Sequence, residues 1–336
     1  MIQLVASEGN AQLILMENDQ LRLYLTNFGA SIYAVEEKQA DGTTVDLALT
    51  CDSLEAFTKN PCFFGATVGR VANRIGKGAF TLNGEKHRLT LNDGNNSAHG
   101  GNASFARRFW DTEFLEDGVV FTLSSPDGEE GYPGNLNTSV TYRFDEQGRI
   151  EITHTAISDK DTILGYTNHT YWCIGGMGKN IYEQQLQIFG DHYVETDAEL
   201  IPTGQILSVA GTPYDFTKPT ALGDHIHDDF PAVQRNRGYD VSFVRQDREG
   251  TAAAVLTDPV SGRRLEVTTT MPIIHIYTGN FLQDEPGKGG LLYQPHDAIC
   301  LEAGRYPDAI NHAHFGPAVL RAYEPYSEKI WFDLKR

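Results

Sequence analysis

Apolar and polar side chains alternate with a period of two along much of the chain. Leu21-Arg22-Leu23-Tyr24-Leu25-Thr26, Val140-Thr141-Tyr142-Arg143-Phe144 and Ile150-Glu151-Ile152-Thr153 each put every second residue on one face, the pattern of half-buried strands. Turn pairs break these runs at Asp41-Gly42, Asn83-Gly84, Asp117-Gly118, Asp127-Gly128, Gln147-Gly148 and Ser261-Gly262. Helical candidates are few and short, Ser53 to Phe57 and Leu222 to Ile226, and neither is long enough to cover a parallel sheet. No linker, low-complexity tract or fixed-period repeat interrupts the rhythm. The pattern predicts an all-β fold, a single large domain over residues 1–336. Its antiparallel sheets should pack face to face as a β-sandwich with few short helices, and long loops should gather over one concave face to form a groove.

Charge narrows the partners. Against 27 basic residues stand 45 acidic ones, a formal net charge of -18, so the average field repels phosphate backbones and anionic lipid. Neither nucleic acid nor membrane is expected as a partner, and a neutral small molecule is. The N-terminal stretch has no basic segment followed by an apolar run, and no segment reaches the roughly eighteen apolar residues that span a bilayer, which predicts a cytoplasmic protein. Cys51, Cys62, Cys173 and Cys300 show no CxxC spacing and are expected as reduced thiols buried among apolar side chains. A monomer or homodimer is expected.

The candidate chemistry centres on Thr167-Asn168-His169-Thr170-Tyr171-Trp172, which sets a histidine, an amide and two aromatic rings in six residues. Aromatic faces, amide donors and acceptors, and an imidazole that titrates near neutral pH suit a sugar ligand. A proton donor needs a partner, and Glu302 in Ile299-Cys300-Leu301-Glu302-Ala303-Gly304 is the best-placed carboxylate; the bland alternative is a core histidine. Phe64 to Gly78 is dense in glycine and carries Arg70 and Arg74, either as donors to a ligand or as solvated turn arginines. His99 lies beside Gly100-Gly101, and Asp127 to Leu136 reads as a solvated acidic turn. Other motifs fail. Gly178-Lys179 lacks the glycine and hydroxyl of a phosphate loop, no Gly-x-Ser-x-Gly elbow occurs, and His225/His227 and His312/His314 lack a convincing third ligand. No metal and no cofactor are predicted.

In order along the chain, Gly65 to Ile75, Asn96 to Gly101, Gly128 to Leu136, Thr167 to Tyr171, Ile201 to Gly204, Gly238-Tyr239-Asp240, Tyr277 to Leu282, Leu301-Glu302 and Pro307-Asp308-Ala309 resemble the signatures of the aldose 1-epimerase family, the galactose mutarotases. The resemblance implies a large antiparallel supersandwich with a sugar site on its concave face. It also implies His169 as proton donor, Glu302 as proton acceptor, and Asn73, Arg74, His99, Tyr171 and Asp240 as sugar-binding positions, with Arg70 a less certain contact. The implied activity is interconversion of the α and β anomers of free hexoses such as glucose and galactose by ring opening and closure.

Three positions depart from the family pattern: His275 stands where Gln is common, Val241 where His is, and Gly304 where Gln is. His275 is taken as a further sugar contact. Gly304 with Arg305 suggests a roomier pocket for reducing disaccharides such as maltose or lactose, unless Arg305 points to solvent and a neighbour such as Tyr306 fills the gap. Three alternatives stand beside this one: a glycoside hydrolase using Glu302 and Asp240, a non-catalytic sugar-binding protein, and a hexose-6-phosphate epimerase using Arg70 and Arg74.

Overall fold

The computed structural model describes residues 1–246 and 251–336. The alternating segments become strands as expected. Leu21–Thr26 is a strand with Leu21, Leu23 and Leu25 buried, and Val140–Phe144 and Ile150–Thr153 lie inside the longer strands Leu136–Phe144 and Ile150–Ser158. At Asn83-Gly84 both residues adopt positive φ, 52° and 82°, the backbone that a two-residue hairpin turn between Ala79–Leu82 and Glu85–Arg88 requires.

Three antiparallel sheets of five, nine and six strands dominate the described residues. The five-stranded sheet is built in sequence order from Ile2–Glu8 to Thr44–Asp46. The nine-stranded sheet has Tyr326–Lys335 near its middle, paired on one side with Ile150–Ser158 and on the other with Arg264–Thr269. The six-stranded sheet runs Tyr171–Trp172, Ile299–Gly304, Ile273–Tyr277, Asp240–Val244, His192–Thr196, Pro202–Ser208. One apolar cluster joins all three: Leu23 and Leu25 from the first, Phe121, Ile152 and Phe332 from the second, Phe243, Ile276 and Leu301 from the third. Burying each such side chain contributes about 1.5–3 kcal/mol, which is what holds the layers face to face. The result is an antiparallel β-sandwich.

Helices are short. Leu54–Phe57 is capped by Ser53, whose Oγ accepts from Ala56 N at 3.1 Å. The candidate at Leu222 to Ile226 is a single 3-10 turn, Leu222–Asp224. Pro231–Asn236 was not anticipated; the proline at its first position, where a missing N–H costs nothing, was the available signal. No helix among the described residues is long and apolar enough to cross a membrane. All four cysteines are free; three are buried and Cys62 is half-buried.

His154 is an anomaly of the core. It is fully buried, stacks on Tyr166 with ring centroids 5.2 Å apart, and neither ring nitrogen has a partner among the described residues. Burial pushes it from 6.5 down to about 3. Between those values the unfolded chain binds a proton that the folded chain refuses, so stability falls with falling pH by up to about 1.4 kcal/mol per unit. We expect His154→Leu to flatten this slope, read as the difference between native and variant denaturation midpoints from pH 6.5 to 4. A difference independent of pH would contradict the assignment.

Candidate active site

Strand register explains how distant residues converge. Across four neighbouring strands Asp240 lies opposite Tyr277, Tyr277 opposite Cys300, and Cys300 opposite Tyr171. In the next row Ser242 lies opposite His275 and His275 opposite Glu302. Because side chains alternate between faces, positions two apart share a face, and these two rows form one polar floor. Val241, between Asp240 and Ser242, faces the core instead, so this departure from the family pattern does not reach the site.

His169 is delivered by the loop between Thr167–Asn168, which pairs with Thr67–Val68, and Tyr171–Trp172, which pairs with Ile299–Gly304. Its backbone is pinned on both sides: His169 N donates to Ala66 O at 2.9 Å, and Gly65 N donates to His169 O at 3.0 Å. Gly65 sits at φ 63°, where an added Cβ would lie 1.8 Å from Ile32 O, so no other residue fits there. The glycine-rich segment thus serves the histidine loop.

Asn73, Arg74, His99, His169, Tyr171, Asp240, His275 and Glu302 all line one open cavity of about 340 Å³. These eight expected site residues are therefore brought together, and Arg70 is not among them. His169 and Glu302 are buried at its floor, with Nε2 3.6 Å from Oε1. Arg74 reaches the cavity from the pairing of Arg74–Ile75 with Ser97–Ala98 and donates from Nε to Asp93 Oδ2 at 2.7 Å. His99 N donates to Asn73 O at 2.8 Å.

Electrostatics separates the imidazoles. Burial, then the charges of His169 and Arg74, hold His99 well below its ordinary 6.5, so it is neutral at pH 7 and offers hydrogen bonds rather than an acidic proton. For His275 burial pulls downward, but the hydrogen bond and charge of Asp240, with the charge of Glu302, outweigh it and raise the ring above 6.5. Burial raises Asp240, and its bond to His275 with the charges of His275 and Arg74 more than offsets this, leaving it below 3.8. His275 Nε2 lies 3.0 Å from Asp240 Oδ1, and Nδ1 lies 2.9 Å from Ser242 Oγ.

The sign of the pH effect follows. The contribution of His275 is complete below 6.5 and lost as pH rises through its elevated value; that of Asp240 is complete above 3.8 and lost as pH falls through its depressed value. We expect affinity for a 1-deoxy sugar, measured by calorimetry, to weaken as pH rises above neutral in the native protein. In His275→Gln, whose amide stays a donor at all pH, affinity should be flat over the same range. Parallel profiles would refute the role of the pair.

Sequence reasoning missed several lining residues. Tyr277 follows His275 at the same two-residue spacing that pairs Asp240 with Ser242 and Cys300 with Glu302, so the alternation itself was the signal. Phe63 carried none: it sits in a loop at φ 61°, its ring 5.1 Å from His99 and 6.1 Å from His169. Phe281 lines the mouth and is 56% exposed. Together with Tyr171 and Tyr277 these rings offer flat apolar walls for the C–H faces of a pyranose.

Three expectations are corrected. Arg70 does not reach the cavity; its guanidinium is buried and donates to Ser125 Oγ and to the carbonyls of Ser125, Pro126, Pro133 and Gly134. The Asp127 to Leu136 loop is correspondingly no simple solvated turn, since it wraps that arginine and buries Tyr132. Gly304 and Arg305 do not widen the pocket. A Cβ on Gly304 would face Ile273 and the Tyr166 carbonyl at 3.7 Å, and Arg305 is held by Pro317 O, Glu328 and the Tyr326 ring, away from the cavity.

Among the described residues, one set of His, Cys and carboxylate atoms is close enough to share a metal ion: His169, Cys300 and Glu302, within 4.8 Å of one another. Cys300 Sγ lies 3.6 Å from Nδ1 of the ring and Glu302 Oε1 lies 3.6 Å from Nε2, so the two partners meet different nitrogens.

A family model described as aldose 1-epimerase matches residues 12–333. The chain is 40% identical to galactose mutarotase from Bos taurus over 327 residues, 96% of this chain and 94% of that protein. It is 34% identical to aldose 1-epimerase from Escherichia coli over 322 residues, 94% and 92% respectively. The solved structure of an aldose epimerase homologue from C. elegans matches it with a TM-score of 0.89 at 29% identity, covering 97% of this chain and 99% of that one. Sheet order, the buried imidazole–carboxylate pair and these similarities lead to one conclusion: the chain belongs to the aldose 1-epimerase family.

Proposed function

We propose that the protein is a mutarotase that interconverts the α and β anomers of free hexoses such as glucose and galactose, with His169 as proton donor and Glu302 as proton acceptor. One observation carries the assignment of roles: the two groups meet at 3.6 Å on the floor of the cavity. The anomeric and ring oxygens of a hemiacetal are bonded to the same carbon, so an acid and a base that serve both must project into one small volume.

Glu302 takes the proton of the anomeric hydroxyl as the bond from C1 to the ring oxygen breaks, and His169 Nε2 protonates the departing ring oxygen. The open aldehyde turns about its first carbon–carbon bond. Closure returns one proton to His169 and the other from Glu302 to the new anomeric oxygen, so nothing is consumed. Neutral His99, Arg74, Asn73 and the Asp240–His275 pair hold hydroxyls, and Tyr171 packs against the His169 ring at 5.2 Å.

The rival chemistries find less support. A hydrolase would need Asp240 as its second free carboxylate, and Asp240 is committed to His275. A phosphate clamp would need Arg70, which is caged by carbonyls, and Arg74, which is paired with Asp93.

All eight residues come from one chain, which supports activity in a monomer or homodimer. The family match across residues 12–333 supports a single domain over 1–336, and the free thiols suit a reducing cytoplasm. Polarimetry of freshly dissolved α-glucose and α-galactose tests the activity: chelator-treated protein should speed the decay of rotation to an unchanged endpoint. No acceleration with either sugar would reject it.

A further inference from the structure

The acid His169 has a second partner beside Glu302, at its other ring nitrogen. Cys300 Sγ lies 3.6 Å from His169 Nδ1, and both groups are buried. The placement is built into the sheet: Cys300 lies opposite Tyr171, two residues after the histidine, and precedes Glu302 by two on the same face. The thiol, the imidazole and the carboxylate therefore form a compact cluster, with Sγ 3.6 Å from Nδ1, Nε2 3.6 Å from Oε1, and polar atoms of all three within 4.8 Å of one another.

We infer that Cys300 is a positioning residue for proton transfer, a weak acceptor that holds the Nδ1–H of His169 and aims Nε2 at the ring oxygen without making the imidazole a stronger base. This rests on the assignment of His169 as the acid. During the cycle His169 passes from imidazolium to neutral imidazole and back, and Nδ1 keeps its proton throughout. Whatever faces Nδ1 therefore acts on both states. A carboxylate or a backbone carbonyl there would stabilise the imidazolium and blunt its acidity toward a weakly basic ether-like oxygen. A thiol is a much weaker acceptor, so it fixes the ring's orientation with little bias on the proton. The thiol also stays protonated and uncharged, because burial, followed by the charges of Glu302 and Asp240, pushes it well above its ordinary value.

Alanine and serine at this position differ little in size and greatly in acceptor strength, which separates packing from hydrogen bonding. In Cys300→Ala the ring loses its partner at Nδ1: kcat for mutarotation should fall on the order of tenfold with KM unchanged, since small misplacements of a reacting group are costly. The alkaline limb of the kcat–pH profile should stay close to its native position, because so weak an acceptor contributes little to either state of the ring. In Cys300→Ser, kcat should recover to within about threefold of native, and the alkaline limb should move to higher pH, since a hydroxyl accepts more strongly than a thiol.

If serine and alanine behave alike, or if neither moves the alkaline limb, Cys300 merely fills space and the inference is overturned. His169→Asn measured alongside tells the two failures apart. A near-native rate in that variant would reject His169 as the acid, and the role of Cys300 with it. Loss of its activity together with indistinguishable Cys300 variants would reject the positioning role alone.

Discussion

Glu302→Gln and His169→Asn each reduce the rate of mutarotation by on the order of 10²–10⁴, the usual contribution of a single proton-transfer group. Both replacements nearly preserve shape, and both side chains are buried at the cavity floor, so the fold and the affinity for sugar should change far less than the rate. The double variant should be little worse than either single one, because the acid and the base act on the same bond-breaking step. The decisive measurement is polarimetric kcat alongside calorimetric binding of a 1-deoxy sugar. Near-native kcat in either single variant would mean that the 3.6 Å pair binds substrate without moving its protons.

The second large effect falls on stability and comes from a residue outside the cavity. Arg70→Met should lower the free energy of unfolding by on the order of 4 kcal/mol, seen as a shifted denaturation midpoint. The arginine is buried among the carbonyls of Ser125, Pro126, Pro133 and Gly134 and the hydroxyl of Ser125, and each loses its donor when the guanidinium is removed. Arg70→Lys should rescue little, since an ammonium cannot reach acceptors arranged around a planar fork. Asn73 and Arg74 follow three and four residues later on the same segment, so activity should be lost with heating before the rest of the sheet melts. An unshifted midpoint would show that water replaces the guanidinium at no cost.

The pairing of these two arginines shows where sequence reading stops. Arg70 and Arg74 lie four residues apart in a glycine-rich run, and nothing in their spacing says that one is caged and the other lines the site. That distinction is made by the Asp127 to Leu136 loop, whose carbonyls fold back from far along the chain. The same limit explains Gly304 and Arg305: proximity to Glu302 in sequence suggested a pocket wall, yet Gly304 lies at the strand end against Ile273 and the Tyr166 carbonyl, and Arg305 is held by Pro317 O, Glu328 and the Tyr326 ring. Where alternation alone decides, the reading was sound. Leu21–Thr26 is the strand its pattern predicts, and His169 and Glu302 meet because a loop and a strand of the same sheet bring them together. Tyr277 and Ser242 were recoverable by the same rule applied one step further. Phe63 was not, since a loop residue with positive φ obeys no period.

The strand Tyr326–Lys335 adds a constraint of a different kind. It lies between Ile150–Ser158 and Arg264–Thr269, so residues as far apart in sequence as Ile152 and Ile330 are direct partners. Until that strand docks, the two halves of the nine-stranded sheet each present an unpaired edge. Pairings of such separation demand loop closure before they return any energy, which makes folding slow. On the ribosome most of the chain must wait with two open edges for a late segment to fill the gap between them. We expect a sandwich threaded in this order to expose open strand edges to aggregation until its last strand docks.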